Sequence, residues 1–138
     1  MYRPSSLALI ALVVLVGGAF SGCGSLAPAD PSVRLTTDRA AYSAQDTLTL
    51  RLFNGTSAPV QHGNLGCVTL EARAESGWIE PPSTRACTME IRSTGAGETA
   101  TARFPIATFP LAPGTYRFRF STSDPMRVLT TTPVTVGP

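Results

Sequence analysis

The chain has 138 residues, enough for one domain of ordinary size, and a formal net charge of +2 at neutral pH. All eleven basic residues are arginines, and they are scattered among nine acidic residues rather than gathered into a basic run. This distribution gives no support to nucleic-acid binding, which requires a concentrated basic patch.

The first predicted element is a secretory signal peptide over residues 1–22. Arg3 is the only charged residue before an uninterrupted apolar run at residues 7–16, and small residues follow that run. A helix needs roughly 20 apolar residues to cross the hydrocarbon of a bilayer, so this run is too short for a permanent membrane span. A charged start, a short apolar middle and a small-residue exit are typical of a cleaved export signal.

The signal peptide ends in Phe20-Ser21-Gly22-Cys23. This motif resembles the lipobox of bacterial lipoproteins, with Phe20 at the position that is usually leucine. The resemblance implies that Cys23 receives a diacylglycerol, that the chain is cut before it, and that the new amine is acylated, as with palmitate. Two or more acyl chains anchor a protein stably. We therefore expect a protein anchored in the cell envelope, either in the outer membrane or on the outer face of the cytoplasmic membrane. Gly24 in place of Asp favours the outer membrane.

A tether is predicted next, at residues 24–32. The stretch GSLAPADPS contains two prolines, two serines and few bulky apolar side chains, which is typical of a linker. The lipidated cysteine and the tether therefore occupy residues 23–32, and the folded domain is expected over residues 33–138.

Strands are predicted throughout this domain. In each predicted strand, apolar side chains alternate with polar ones, which indicates one buried face and one wet face. Turn-forming residues separate the strands. Seven short strands predict an all-β fold, a single immunoglobulin-like Greek-key sandwich, with a small barrel as the alternative. The segments are residues 33–39, 47–53, 67–73, 87–92, 99–106, 115–121 and 132–136.

The stretch Pro113-Gly114-Thr115-Tyr116 predicts a turn followed by a tyrosine at the start of a strand. In immunoglobulin-like sandwiches a tyrosine at this corner often hydrogen-bonds through its hydroxyl back to the chain. We therefore expect Tyr116 to be a structural corner residue. The alternative is an aromatic residue that stacks on a ligand.

Four stretches together resemble bacterial immunoglobulin-like lipoprotein domains: AYSAQDTLTLRLFNGT, TLEARAESGW, STGAGET and LAPGTYRFRF. They contain a Tyr before the second strand and an Asn after it, a Leu-Glu strand with a Gly-Trp turn, a polar turn with glycine, and a Pro-Gly-x-Tyr-Arg corner. The resemblance covers residues 33–136. It implies a β-sandwich in the envelope and supplies no catalytic residues, so neither catalysis nor a cofactor is expected.

Cys67 and Cys87 are the remaining cysteines. Outside the cytosol, two cysteines in a small β domain are expected to form a disulfide, which would stabilise the domain by about 3 kcal/mol. The alternative is a metal site that adds His62 and a fourth ligand. Structural zinc sites usually present their ligands in close pairs, and the sequence contains no such pair, so no metal is predicted.

Two residues are candidate binding residues. His62, the single histidine, lies in the glycine-bordered stretch VQHGNLG, and we expect it at the surface. Trp78 follows a turn and either packs half-buried over the core or stacks on a partner. Carboxylates such as Glu71 and Glu90 are expected to be solvated on outward strand faces.

Two classes of function remain after these exclusions, with an enzyme a distant third. The first is a non-catalytic module that binds an envelope protein or a polymer, and the second is a protease inhibitor that acts through its loops. An exposed apolar loop would favour inhibition, whereas an open aromatic platform on a sheet face would favour polymer binding. We expect binding around Trp78, His62 and residues 55–66.

Overall fold

The computed structural model describes residues 32–82, 86–109 and 111–138, and these residues form eleven strands and two 3-10 turns. The predicted signal peptide, Cys23 and the tether up to residue 31 lie outside the described residues. The strands are β1 (Val33–Thr37), β2 (Ala41–Tyr42), β3 (Thr47–Asn54), β4 (Val60–His62), β5 (Thr69–Ala74), β6 (Gly77–Ile79), β7 (Arg92–Thr94), β8 (Thr99–Pro105), β9 (Gly114–Asp124), β10 (Met126–Thr130) and β11 (Val134–Val136), and the 3-10 turns are Leu65–Cys67 and Ile106–Thr108.

Two sheets pack against each other, which confirms the predicted all-β sandwich and not the barrel. The smaller sheet has the order β1-β3-β8. The larger has the order β2-β11-β9-β4-β7, in which β5 and β10 also pair with β9, and β6 pairs with β5. β4 and β5 lie along one edge of β9, and β10 and β11 lie along the other. The two strands of each pair therefore follow one another along the same edge of β9.

The core follows from the alternation in the two central strands. β3 turns its leucines inward, and β9 turns its aromatic residues inward. Burying each such side chain stabilises the fold by roughly 1.5–3 kcal/mol. The ring of Phe109 meets the rings of Phe104 and Phe118 edge-on, at centroid distances of 5.8 and 6.2 Å. The inward residues of the two strands are Leu48, Leu50, Leu52, Tyr116, Phe118 and Phe120.

The predicted strand over residues 87–92 is wrong except at its end, where β7 begins at Arg92. Residues 87–91 have no regular structure, and the alternating residues expected inside, Cys87, Met89 and Ile91, are exposed. The segment lies beside outward-facing residues of β9, where no further layer of the described residues covers it. Alternation predicts a one-sided strand, but only a second layer can bury its apolar side.

The N-terminus of the domain defines one end of the sandwich. Gly55 N–H donates to the carbonyl of Ser32 over 3.2 Å, and the ladders place Val33 opposite Asn54, Val60 opposite Thr94 and Gln61 opposite Asp124. Ser32, the loops at residues 55–59 and 95–97, and the β9–β10 turn at residues 124–126 therefore lie together. We call this the tether end; the far end contains Gly77, Gly114 and Val136.

Asn54 joins the two sheets at the tether end. Its side-chain amide donates to the carbonyls of Ala58, Thr94 and Gly95 at 2.8–3.1 Å, and its Oδ1 accepts from the N–H and hydroxyl of Thr56. The adjoining turn needs Gly97, because its φ of 74° lies in the left-handed region that favours glycine. The buried amide thus fixes both loops of this end.

Candidate binding surface

His62 is buried, so the expectation of a surface histidine is wrong and its ring is not available to a partner. Its Nδ1 lies 2.6 Å from the carbonyl oxygen of Gly63, and its Nε2 lies 2.8 Å from the hydroxyl of Thr94. The carbonyl only accepts, so Nδ1 carries the proton in the neutral ring and Nε2 accepts from Thr94. The ring also packs edge-on against Phe120 at 5.8 Å. His62 is therefore a satisfied core residue.

Trp78 lies half-buried on the outer face of the larger sheet, after the tight β5–β6 turn at Gly77, whose φ is 127°. The guanidinium groups of Arg73 and Arg117 lie 5.4 and 4.5 Å from the centre of its ring. Both distances are within the range of cation–π attraction. The ring is therefore already in contact with two cations and does not form an open stacking platform.

Glu71 forms the centre of a charge cluster on the same face. Its Oε2 accepts from Arg117 Nε at 2.6 Å, and its Oε1 lies 2.9 Å from Arg119 Nε without making a hydrogen bond. Arg119 Nη2 lies 3.7 Å from Glu80. The Glu71 side chain is only 11% exposed, which corrects the expectation that it is solvated.

The cluster could not be found from the sequence, because Glu71 and Arg117 are 46 residues apart and neither has a neighbour that signals the other. The β5–β9 ladder places them directly opposite each other, so both side chains lie on one face. Only strand pairing supplies that register.

A cavity of about 590 Å³ lies beside this cluster. It separates the segment at residues 87–91 from β9 and from the β4–β5 connection. Its lining on the outer side of the sheet includes Arg119, Ser121 and Thr69. At its edge, Asn64 donates a 3.1 Å hydrogen bond to Thr88, which connects the two sides of the cavity. Its volume lies in the range of ligand pockets.

Cys67 and Cys87 both line this cavity, but their sulfurs are not at disulfide distance, and the predicted disulfide is absent from the structure. Cys67 is half-buried at the end of the first 3-10 turn, and Cys87 is exposed. The physical reason is that residues 87–91 do not form the expected strand, which would have fixed Cys87 against the sheet.

Met89 and Ile91 are the exposed apolar side chains at the mouth of the cavity. Met89 is fully exposed and Ile91 is 81% exposed. Single exposed apolar residues are common on soluble proteins, but two beside an open cavity form a contiguous apolar surface. We call residues 87–91 and the cavity the apolar segment site.

Tyr116 lies at the start of β9, and its ring is buried in the core. Its hydroxyl donates to the carbonyl of Ala112 over 2.6 Å. This is the hydrogen bond expected of a tyrosine corner. The burial of the ring leaves neither of its faces open to a ligand.

Residues 32–82, 86–109 and 111–138 contain no group of three or more His, Cys, Asp or Glu side chains that could hold a metal ion. Within the same ranges, no helix has the length and apolar character needed to cross a membrane. Comparison with known proteins finds neither a matching family model nor a matching curated protein.

Proposed function

We propose that this protein is a lipid-anchored, non-catalytic binding module of the bacterial cell envelope. Its anchor is Cys23, and its partner is another envelope protein that docks on the apolar segment site. The short apolar run and the Phe20-Ser21-Gly22-Cys23 motif support the anchor.

The exposure of Met89 and Ile91 is the observation that carries the binding role. Full burial of either side chain against a partner would contribute about 1.5–3 kcal/mol to the free energy of binding. The adjoining cavity offers room for an apolar side chain of that partner, with Arg119 and Asn64 as polar contacts. Interfaces commonly combine such an apolar centre with a polar rim.

A protein partner accounts for this face better than a polysaccharide. Stacking on sugar rings needs an open aromatic face, and the ring of Trp78 lies against Arg73 and Arg117. An anchored module meets its partner at high local concentration, so weak affinity per site suffices.

A protease inhibitor is the second candidate function. Residues 87–91 are exposed and without regular structure, and such a segment has the form in which an inhibitory loop is presented to a protease. Met89, fully exposed, would be the side chain offered to the specificity pocket.

The anchor is tested by expressing the full chain and a Cys23→Ser variant. The wild-type chain should fractionate with membranes, and its N-terminal peptide should carry acyl chains on Cys23. The variant should remain uncut or become soluble. A processed variant that still fractionates with membranes would contradict the anchor.

The partner is tested by crosslinking in intact cells. We compare wild type with the double variant Met89→Ser, Ile91→Ser and with Ile79→Ser as a control, since Ile79 is 50% exposed on β6, away from the cavity. Crosslinked protein should be lost only with the double variant. Equal crosslinking by all three would contradict the apolar segment site. Inhibition of a protease by the wild type and by Ile79→Ser, but not by the double variant, would favour the inhibitor role.

A further inference from the structure

The β9–β10 hairpin carries two further exposed apolar side chains that the binding role does not use, on the same outer face as the cavity. Met126 is 84% exposed, and Val128 is 63% exposed. Both side chains lie on the outer face, opposite Ser123 and Ser121 in the ladder. Arg127 lies between them in sequence but opposite Thr122, on the other face of the hairpin. It is exposed and has no ion pair among the described residues. We call Met126, Arg127 and Val128 the hairpin tip.

The hairpin tip lies at the tether end. Gln61 is opposite Asp124, Val60 is opposite Thr94, and the Asn54 amide connects Thr94 to the strand that pairs with Val33. The chain therefore enters the domain at the end where the β9–β10 turn projects. The tether thus leaves the sandwich beside the hairpin tip rather than beside Trp78.

The length of chain before the domain limits how far this end can be from an anchor. Ser32 lies nine positions after Cys23, and a fully extended stretch of that length covers at most about 30 Å. The tether therefore keeps the tether end within about 30 Å of the anchor, and a contact of this end with the membrane needs no further reach.

The chemistry of this end matches a lipid surface. The loops at residues 55–59 and 95–97 contain no charged residue. The β9–β10 turn adds one exposed carboxylate, Asp124, whose charge Arg127 balances. Apolar side chains enter the boundary between headgroups and acyl chains, while an exposed arginine meets anionic headgroups.

We propose that the hairpin tip rests on the phospholipid bilayer, with Met126 and Val128 at the acyl boundary and Arg127 at a headgroup phosphate. This inference rests on the proposed anchor at Cys23. The contact would hold the domain in one orientation, with the far end directed away from the membrane.

The two methionines of the mature chain provide the test, because Met126 lies in the hairpin tip and Met89 lies in the apolar segment site. The lipidated chain is produced with a photoreactive methionine analogue, reconstituted into vesicles of phosphatidylethanolamine and phosphatidylglycerol, and irradiated. Phospholipid adducts should form at residue 126 several-fold more often than at residue 89. Equal adducts at both residues, or none at residue 126, would overturn the proposal, as would a protein crosslinked at residue 126 in cells.

A second measurement separates this proposal from the anchor. The mass of the N-terminal peptide in the same digest reports acylation of Cys23 independently. The mature chain with Cys23→Ser is then sedimented with the same vesicles. Met126→Asp should lower the bound fraction several-fold, and Ile79→Asp should leave it unchanged. Identical sedimentation of these chains overturns the membrane contact whether or not Cys23 is acylated, and thermal unfolding confirms that each variant is folded.

Discussion

Asn54 is a buried amide whose loss should destabilise the whole domain. Asn54→Ala leaves the carbonyls of Thr94 and Gly95 without their donor. Unsatisfied buried groups cost about 1–3 kcal/mol each, so we expect the free energy of unfolding to fall by about 2–4 kcal/mol. Denaturant unfolding measures it.

The matched control for this variant is Asn64→Ala. Asn64 is half-buried, accepts from Gly66 N–H at 2.8 Å, and donates to exposed Thr88. Water can replace these partners, so the loss should be about 1 kcal/mol or less. Equal losses for the two variants would show that the Asn54 amide does not hold the tether end.

Glu71→Gln should destabilise the domain by removing the charge that faces Arg117 and Arg119. Breaking a buried pair costs about 3–5 kcal/mol, but both arginines are partly exposed, so we expect about 1–3 kcal/mol. Glu75→Gln is the control, because Glu75 is exposed on the β5–β6 turn. If the two variants unfold alike, the pair does not stabilise the sheet.

Tyr42 should make the stability of the domain sensitive to alkaline pH. Burial, followed by its 2.8 Å hydrogen bond to Asp38, raises the pKa of Tyr42 from 10.0 to about 12. Because folding raises this pKa, the stabilising effect is complete below pH 10 and is lost as the pH rises towards 12. The free energy of unfolding should fall over that interval, and Tyr42→Phe should flatten the fall.

Asp38 gives the corresponding prediction in acid. Burial opposes its ionisation, but hydrogen bonds from Thr49 N–H and the Tyr42 hydroxyl hold its pKa below the ordinary value of 3.8. This stabilisation is present above pH 3.8 and is lost as the pH falls through the lowered pKa. Asp38→Asn should remove that part of the acid loss in unfolding curves recorded at a series of pH values.

At the scale of elements, the alternation of apolar and polar residues correctly located the strands that have one buried face. β3, β8 and β9 lie where the sequence predicts them, because Leu50, Ala102 and Phe118 belong to regular inward rows. β2, β4 and β6 have only two or three residues, too few to show a period. Their existence depends on pairing with distant strands.

The dependence on distant residues also explains why the predicted burial of His62 and of residues 87–91 was wrong. His62 is flanked by a glycine typical of loops, yet Thr94, 32 residues away, satisfies its Nε2 and permits burial. The apolar row of residues 87–91 was visible in the sequence, but nothing local showed that no layer would cover it. The sequence therefore showed correctly that this segment has an apolar row, but the prediction that the row is buried was wrong.

Residues 87–91 should contribute little to folding, which distinguishes them from core strands. Ser in place of Met89 or Ile91 should change the free energy of unfolding by less than about 0.5 kcal/mol. Leu50→Ala, within β3, should cost about 2–5 kcal/mol. A large loss at Ile91 would indicate that the segment packs against the sheet, contrary to its exposure.

At the scale of the whole molecule, the sandwich is polarised along its strands. Ser32, the first described residue, lies at one end. Trp78 lies in the far half, since β6 pairs with β5 near the level of Tyr116. Asp124 lies eight positions after Tyr116 on β9, a distance of roughly 26 Å along a strand. An anchored domain that rests on its hairpin tip therefore presents the Trp78 face well above the membrane.

Trp78 is the only tryptophan, so its fluorescence reports this orientation directly. In vesicles that contain spin-labelled lipids, the emission of the anchored protein should be unchanged, because roughly 26 Å of strand separates the level of Trp78 from the bilayer. A Trp78→Phe, Met126→Trp variant places the fluorophore in the hairpin tip, and its emission should be strongly quenched by the same lipids. Quenching of Trp78 comparable to that of the relocated tryptophan would mean that the domain lies on its outer sheet face, and the upright orientation would be wrong.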